Sequence, residues 1–166
     1  MFLYEYIYIM KIHIPEPISA VDYDRRLWIS NKEFVFSVEE NGIKKDFVCP
    51  VGFVLDFYTI PRFLHFWISN RPGWGESSSA IHDFLRRFYK DFGVNVKYSD
   101  NVFLEAMKTY ELRTRYIKYY SVRSFALITD TGGEGRPGRT VRNSMSRNGD
   151  CWKSYRDIVI KENNLL

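Results

Sequence analysis

Two alternating apolar runs flank Glu40-Asn41-Gly42, and no other feature of this chain narrows its fold as much. Phe34, Phe36 and Val38 fall on one side of a pleated chain, because successive side chains on a strand point to opposite faces. Asn-Gly supplies the two consecutive positive-φ residues that a tight hairpin turn demands. The pattern predicts a strand over 28–38, the turn, and a return strand over 43–48 that Pro50 and Gly52 close. A third short run, Gly52-Phe53-Val54-Leu55, leads into Asp56. Upstream, Tyr4-Glu5-Tyr6-Ile7-Tyr8-Ile9 alternates too and reads as a first strand, ended by Pro15 and Pro17.

Beyond Pro61 the period changes. Residues 63–68 read as a helical turn, and Asn70-Arg71-Pro72-Gly73-Trp74-Gly75-Glu76 as a loop. Ser77, Ser78 and Ser79 offer N-caps to a helix that runs to Phe92 and stops at Gly93. Ser99-Asp100 reads as the cap of a second helix, with Phe103, Ala106, Met107 and Tyr110 on one side. A third helix is expected over 113–127, with Tyr116, Tyr119, Tyr120 and Phe125 available for packing. The expected fold is α+β, an antiparallel sheet from the N-terminal half packed against about three helices from the C-terminal half. Residues 1–130 form that single domain. Residues 131–166 open with Gly132-Gly133-Glu134-Gly135-Arg136-Pro137-Gly138 and read as a Gly/Arg-rich arm or partly disordered tail.

Composition sets further bounds. A chain of 166 residues has room for one core, and an aromatic content of 17% implies a core filled with large rings. The net charge of +4 is small for a nucleic-acid binder and is concentrated in 113–123 and 136–156, so nucleic acid is not the expected partner. Cys49 and Cys151 have neither metal-ligand spacing nor the numbers for a disulfide framework, which fits a reducing compartment. The leading MFLYEYIYIM is too short to span a bilayer and lacks the basic start and cleavage site of a signal peptide. Met10 is an alternative start, and contact with a membrane surface stays open. Gly-x-Ser-x-Gly, Cys-x-x-Cys and His-Glu-x-x-His patterns do not occur.

His82-Asp83 is the pair on which chemistry could rest. A neutral imidazole can take a proton from water, and a neighbouring carboxylate can hold a hard cation such as Ca²⁺. Adjacent helix residues point about a hundred degrees apart, so the two would divide that work. Asp100 could orient the imidazole ring if the connector after Gly93 doubles back; otherwise it is an ordinary cap. Asp56 stands at a strand end beside a turn, a common place for a functional carboxylate and for a plain turn former. Arg62 could pair with Asp56 or Asp83. His13 and His65 have no partner of obvious type nearby, and the cations of 113–123 with their interleaved tyrosines read as a solvated helix face or a grip for nucleic acid.

Four blocks then line up in order. They are Val48-Cys49-Pro50-Val51-Gly52-Phe53-Val54-Leu55-Asp56 with Thr59-Ile60-Pro61-Arg62; Ala80-Ile81-His82-Asp83-Phe84-Leu85; Ser99-Asp100-Asn101-Val102-Phe103-Leu104-Glu105-Ala106-Met107; and Val122-Arg123-Ser124-Phe125. Together they resemble the DUF1353 family of uncharacterised phage and prophage proteins, over roughly 28–127. Leu55, Thr59, Arg86 and Ser99 depart from that pattern, while its charged positions are kept. Thr59 retains the hydroxyl of the family's serine, so a supporting role beside Arg62 stays open.

The His-Asp pair within a helix, followed by an Asp opening another, also resembles the helix pair of phospholipase A2-type enzymes. That likeness implies His82 as base, Asp100 as its orienting carboxylate and Asp83 as a calcium ligand. The glycine-rich calcium loop of those enzymes is missing in form, and Asp56 is the residue that would replace it. The resemblances imply a phage-encoded accessory or virion-associated protein, located in the host cytoplasm or the virion, and acting as a Ca-dependent ester hydrolase. Two other readings stay open: a non-enzymatic structural or assembly protein of the virion or tail, and an inhibitor of a host protein or nucleotide signal.

Overall fold

The computed structural model describes residues 9–24, 27–55, 74–110, 113–129 and 152–165. Its framework grows from the Asn41-Gly42 turn, where φ is 50° and 83°, the left-handed pair that lets two twisted strands meet without splaying. The turn joins β4 (Phe34–Glu40) to β5 (Ile43–Cys49) in register, with Glu40 opposite Ile43 and Phe34 opposite Cys49. Strand β1 (Met10–His13) pairs antiparallel with β4 on its other side. A second antiparallel sheet places β3 (Leu27–Ser30) between β2 (Ala20–Asp24) and β6 (Val54–Leu55).

The single strand expected over 28–38 is thus two strands in two sheets. Ser30 explains the break. Its backbone N–H donates to the Phe53 carbonyl, its carbonyl accepts from Gly52, and its Oγ accepts from Phe53 N–H at 2.9 Å and donates to Pro50. Those bonds tie β3 to the β6 side, and the exposed Asn31-Lys32-Glu33 carries the chain across to β4. The strand expected over 4–9 lies outside the described residues except for Ile9.

Four helices are described: α1 (Trp74–Phe88), α2 (Val96–Thr109), α3 (Arg115–Thr129) and α4 (Trp152–Glu162). Two helix starts differ from expectation. Helix α1 begins at Trp74, inside the expected loop, so the three serines lie within it and do not cap it. Ser77 and Ser78 are buried, and Ser77 Oγ accepts from Ile18 N–H at 3.0 Å. Helix α1 also ends at Phe88, before the expected Phe92, and a turn follows to Gly93 at φ 68°. Helix α2 is capped by Asn95, whose side chain accepts from Tyr98 N–H, so Ser99 and Asp100 fall in its second turn.

Large rings do fill the core. Phe36 stacks on Phe47 at 5.0 Å, Phe84 meets Phe36 and Phe53 edge-on, and Phe92 meets Phe47 edge-on. Within the segment read as an arm or disordered tail, α4 reaches this core. Tyr155 and Val159 are buried, and the Tyr155 hydroxyl donates to the Pro50 carbonyl at 2.8 Å. Asn163 accepts from Val48 N–H and donates to the Val48 carbonyl, both at 2.8 Å, and so satisfies the outer edge of β5 as a strand partner would.

Candidate functional site

His82 and Asp100 meet because each lies deeper in its helix than the sequence suggests. His82 is six residues before the end of α1, and Asp100 four past the start of α2. Those offsets are about 9 and 6 Å of helical rise, so the two come level across a helical hairpin and no loop need double back. His82 Nε2 is 2.9 Å from Asp100 Oδ1. Arg123, on α3, donates from Nη1 to the other oxygen, Oδ2, also at 2.9 Å. Alongside, the Tyr119 hydroxyl donates to Asn101 Oδ1 at 3.2 Å, a second link between α3 and α2. The Phe103 ring lies against the His82 imidazole at 4.9 Å between centroids.

The second ring nitrogen faces Asp83. His82 Nδ1 is 3.9 Å from Asp83 Oδ1, an ionic approach but too long for a hydrogen bond. Asp83 is buried, and its Oδ2 has no hydrogen-bond partner among the described residues. A buried carboxylate oxygen left unpaired is costly, by about 1–3 kcal/mol, so it demands an explanation. Asp100 is fully buried, while the His82 and Asp83 side chains keep 11% and 10% of their surface exposed.

Burial opposes a charge on His82, but the hydrogen bond it donates to Asp100 and the nearby Asp83 carboxylate outweigh it, so its pKa stands above the ordinary imidazole value. Burial likewise pushes the Asp100 carboxyl upward, and the bonds from His82 and then Arg123 more than reverse this, leaving it below the usual carboxylate range. The nearby Arg86 guanidinium adds to that lowering. Asp100 is therefore an ionised carboxylate held among cationic groups from the two helices that flank its own. With Nε2–H directed at Asp100, a neutral His82 presents the Nδ1 lone pair on the Asp83 side.

Of the residues singled out from the sequence, the structure brings together His82, Asp83 and Asp100. Asp56, Thr59 and Arg62 lie outside the described residues, as does His65. Two arginines escaped the sequence reading. In the sequence Arg123 reads as part of a solvated helix face or a grip for nucleic acid, and the Val122-Arg123 block is the one signal that points elsewhere. Arg86 carries no signal of its own in the sequence, and only the packing of α1 on α2 brings it near Asp100. Cys49 is buried and its thiol pKa is driven upward by desolvation, which removes it as a nucleophile.

A hard cation would find one ready ligand here, the unpaired oxygen of Asp83. Among the described residues no group of three His, Cys, Asp or Glu side chains could hold a metal. Calcium takes about six to eight oxygens, so the described residues supply part of a site at most. Asp56 is the carboxylate that follows β6 in the chain, and the Val54 carbonyl of that strand accepts from Arg87, one turn along α1 from Asp83.

Comparison with known proteins gives one finding. The family model described as protein of unknown function (DUF1353) matches residues 28–122, more than half of the chain. The match runs from β3 into α3, includes His82, Asp83 and Asp100, and stops one residue short of Arg123. No match was found among curated proteins or among solved structures. The chain belongs to the DUF1353 family.

Proposed function

We propose that this chain is an ester hydrolase in which His82 is the general base, Asp100 orients it and Asp83 contributes to a cation site. The observation that carries the proposal is the division of the imidazole's two edges. Nε2 is taken by a buried, ionised carboxylate, while Nδ1 faces the carboxylate whose second oxygen has no hydrogen-bond partner among the described residues. Asp100 fixes the tautomer and ring plane and would stabilise the imidazolium once it forms. A water beside Nδ1 would give its proton to that nitrogen as its oxygen attacks the ester carbonyl. The same proton would pass to the departing alkoxide as the bond from carbonyl carbon to alkoxy oxygen breaks. A cation bound at Asp83 would polarise the carbonyl oxygen. The sequence resemblance supports a phage-encoded accessory or virion-associated setting, with calcium as the cation.

The test is calorimetric titration of Ca²⁺, Mg²⁺ and Zn²⁺ into metal-stripped protein, beside an Asp83→Asn variant. Heat that vanishes in the variant, followed by phospholipid or short-chain ester cleavage that is lost in His82→Ala, supports the reading. Absence of both sinks it.

One observation favours a second reading. Asp100 is fully buried and bonded to helices on both sides of its own, which is how a structural ion network is built. On that reading the protein is a non-enzymatic assembly component whose polar cluster fixes the packing of α1, α2 and α3.

A further inference from the structure

Among the described residues, eight large hydrophobic side chains are exposed, and three of them, Tyr116, Ile117 and Tyr120, lie within five residues of α3. The other five are scattered singly over other parts of the fold, as is ordinary for a protein surface. On a helix, positions i, i+1 and i+4 form one patch, so these three make a continuous apolar and aromatic face. Tyr120 is 64%, Tyr116 48% and Ile117 46% exposed. The sequence of α3, RYIKYYSVRSFALIT, contains three cations and no carboxylate. Arg113 stands exposed just before it, and the Arg115 guanidinium lies 5.2 Å from the centroid of the Tyr116 ring.

We infer that this face of α3 docks the protein onto an anionic lipid surface. Tyrosines sit well at the headgroup level, where one end of the ring is apolar and the other wet, and Ile117 can enter the acyl boundary. Exposed Arg113 and half-buried Arg115 border the apolar patch and can offer guanidinium groups to lipid phosphates, whereas burial pushes the Lys118 pKa down and makes that half-buried ammonium the weaker contributor. Two other occupants fit less well. Pairing α3 with α3 of a second copy would set cation against cation, with no carboxylate on the helix to relieve them. A nucleic-acid strand wants its cations foremost and stacking rings behind. Here the outermost residues include an isoleucine, and the Arg123 guanidinium is engaged by Asp100. Among the described residues no helix is long and apolar enough to cross a membrane, and the inferred contact is a peripheral one made by the exposed face of α3. The inference goes beyond the hydrolase reading and does not need it.

The test is sedimentation of the full chain with vesicles of phosphatidylglycerol or of phosphatidylcholine, in low and high salt. Binding to the phosphatidylglycerol vesicles only, weakened by salt, is expected. Tyr116→Ser with Ile117→Ser and Tyr120→Ser should weaken it at least tenfold while circular dichroism stays unchanged. Tyr120→Ser alone, the safer variant for folding, should weaken it severalfold. Arg113→Gln should weaken it about fivefold, the effect of one basic residue near a charged membrane. His82→Ala should bind normally, which separates this result from the fate of the hydrolase reading. Vesicle binding that survives the triple variant, no vesicle binding at all, or binding to a single-stranded oligonucleotide in place of vesicles would overturn the inference.

Discussion

Asp100 Oδ1 lies 2.9 Å from His82 Nε2 although they are eighteen positions apart in the chain, and this contact joins the middle of α1 to the second turn of α2. The Asp100 carboxylate is fully buried and also receives Arg123, so removing its charge strands two cationic partners. Asp100→Asn is expected to destabilise the fold by about 3 kcal/mol, the usual result of breaking a buried ion pair from one side. Arg123→Gln should lose about 1–2 kcal/mol, because that side chain keeps 28% of its surface in water and its charge can be rehydrated. Urea unfolding of the two variants and of the double variant checks both figures. The double variant should fall well short of their sum, since the residues share one bond network.

The same cluster sets a pH dependence. The pKa of His82 is raised from 6.5, so its contribution is complete below that value and is lost as pH rises through the higher folded value. That of Asp100 is lowered from 3.8, so its contribution is complete above that value and is lost as pH falls through the lower folded one. Stability from this pair is therefore greatest between about pH 4 and 6.5 and falls away on both sides. Thermal midpoints measured from pH 3 to 10 should trace that shape, and His82→Gln should flatten the alkaline limb while leaving the protein folded.

The hairpin was legible because its information is local. Asn41-Gly42 states a turn geometry, and Phe34, Phe36 and Val38 state a face, without reference to anything distant. Where a strand stops was not legible, because β3 ends on bonds from Ser30 to Pro50, Gly52 and Phe53, which are remote in sequence. The helix starts were misplaced for a related reason. Serines and Ser99-Asp100 look like caps, but buried partners reward them inside helices: Ile18 N–H for Ser77, and His82 with Arg123 for Asp100. His82, Asp83 and Asp100 stood out by residue type alone. Arg123 did not, because a cation on a helix reads as a surface residue until the buried carboxylate beneath it is known.

Helix α4 yields a third prediction. Tyr155 is buried against Phe53 and Phe88, and Asn163 satisfies both backbone groups of Val48. Asn163→Ala should destabilise by about 2 kcal/mol, since it leaves a strand edge unpaired in a half-buried place. Tyr155→Phe should lose about 1 kcal/mol with the single bond to Pro50. A chain ended at residue 150 loses both, together with Val159, and opens the aromatic core to water. It should unfold non-cooperatively and bind a hydrophobic dye, whereas the full chain should melt in one sharp transition.

Asp83 separates the two readings of the cluster most cleanly. If the cluster were only a structural network, each charged member would stabilise the fold, and replacing any of them would lower the melting temperature. Asp83 Oδ2, however, is buried without a hydrogen-bond partner among the described residues, and its other oxygen reaches His82 only at 3.9 Å. Once the imidazole is neutral, at alkaline pH, its ionic approach to Asp83 is gone and no described hydrogen bond reaches Oδ2 to offset burial of the carboxylate. Asp83→Asn removes the charge at nearly constant volume, so in metal-free protein near pH 9 it should leave stability unchanged or raise it by about 1 kcal/mol. Added Ca²⁺ should stabilise the parent chain and not the variant, because a ligand that binds only the folded state raises its melting temperature by mass action. A gain in stability paired with lost cation response is the signature of a residue kept for function at the expense of the fold. A variant that melts several degrees lower without metal, with calcium inert toward both proteins, would instead assign Asp83 to the structural network.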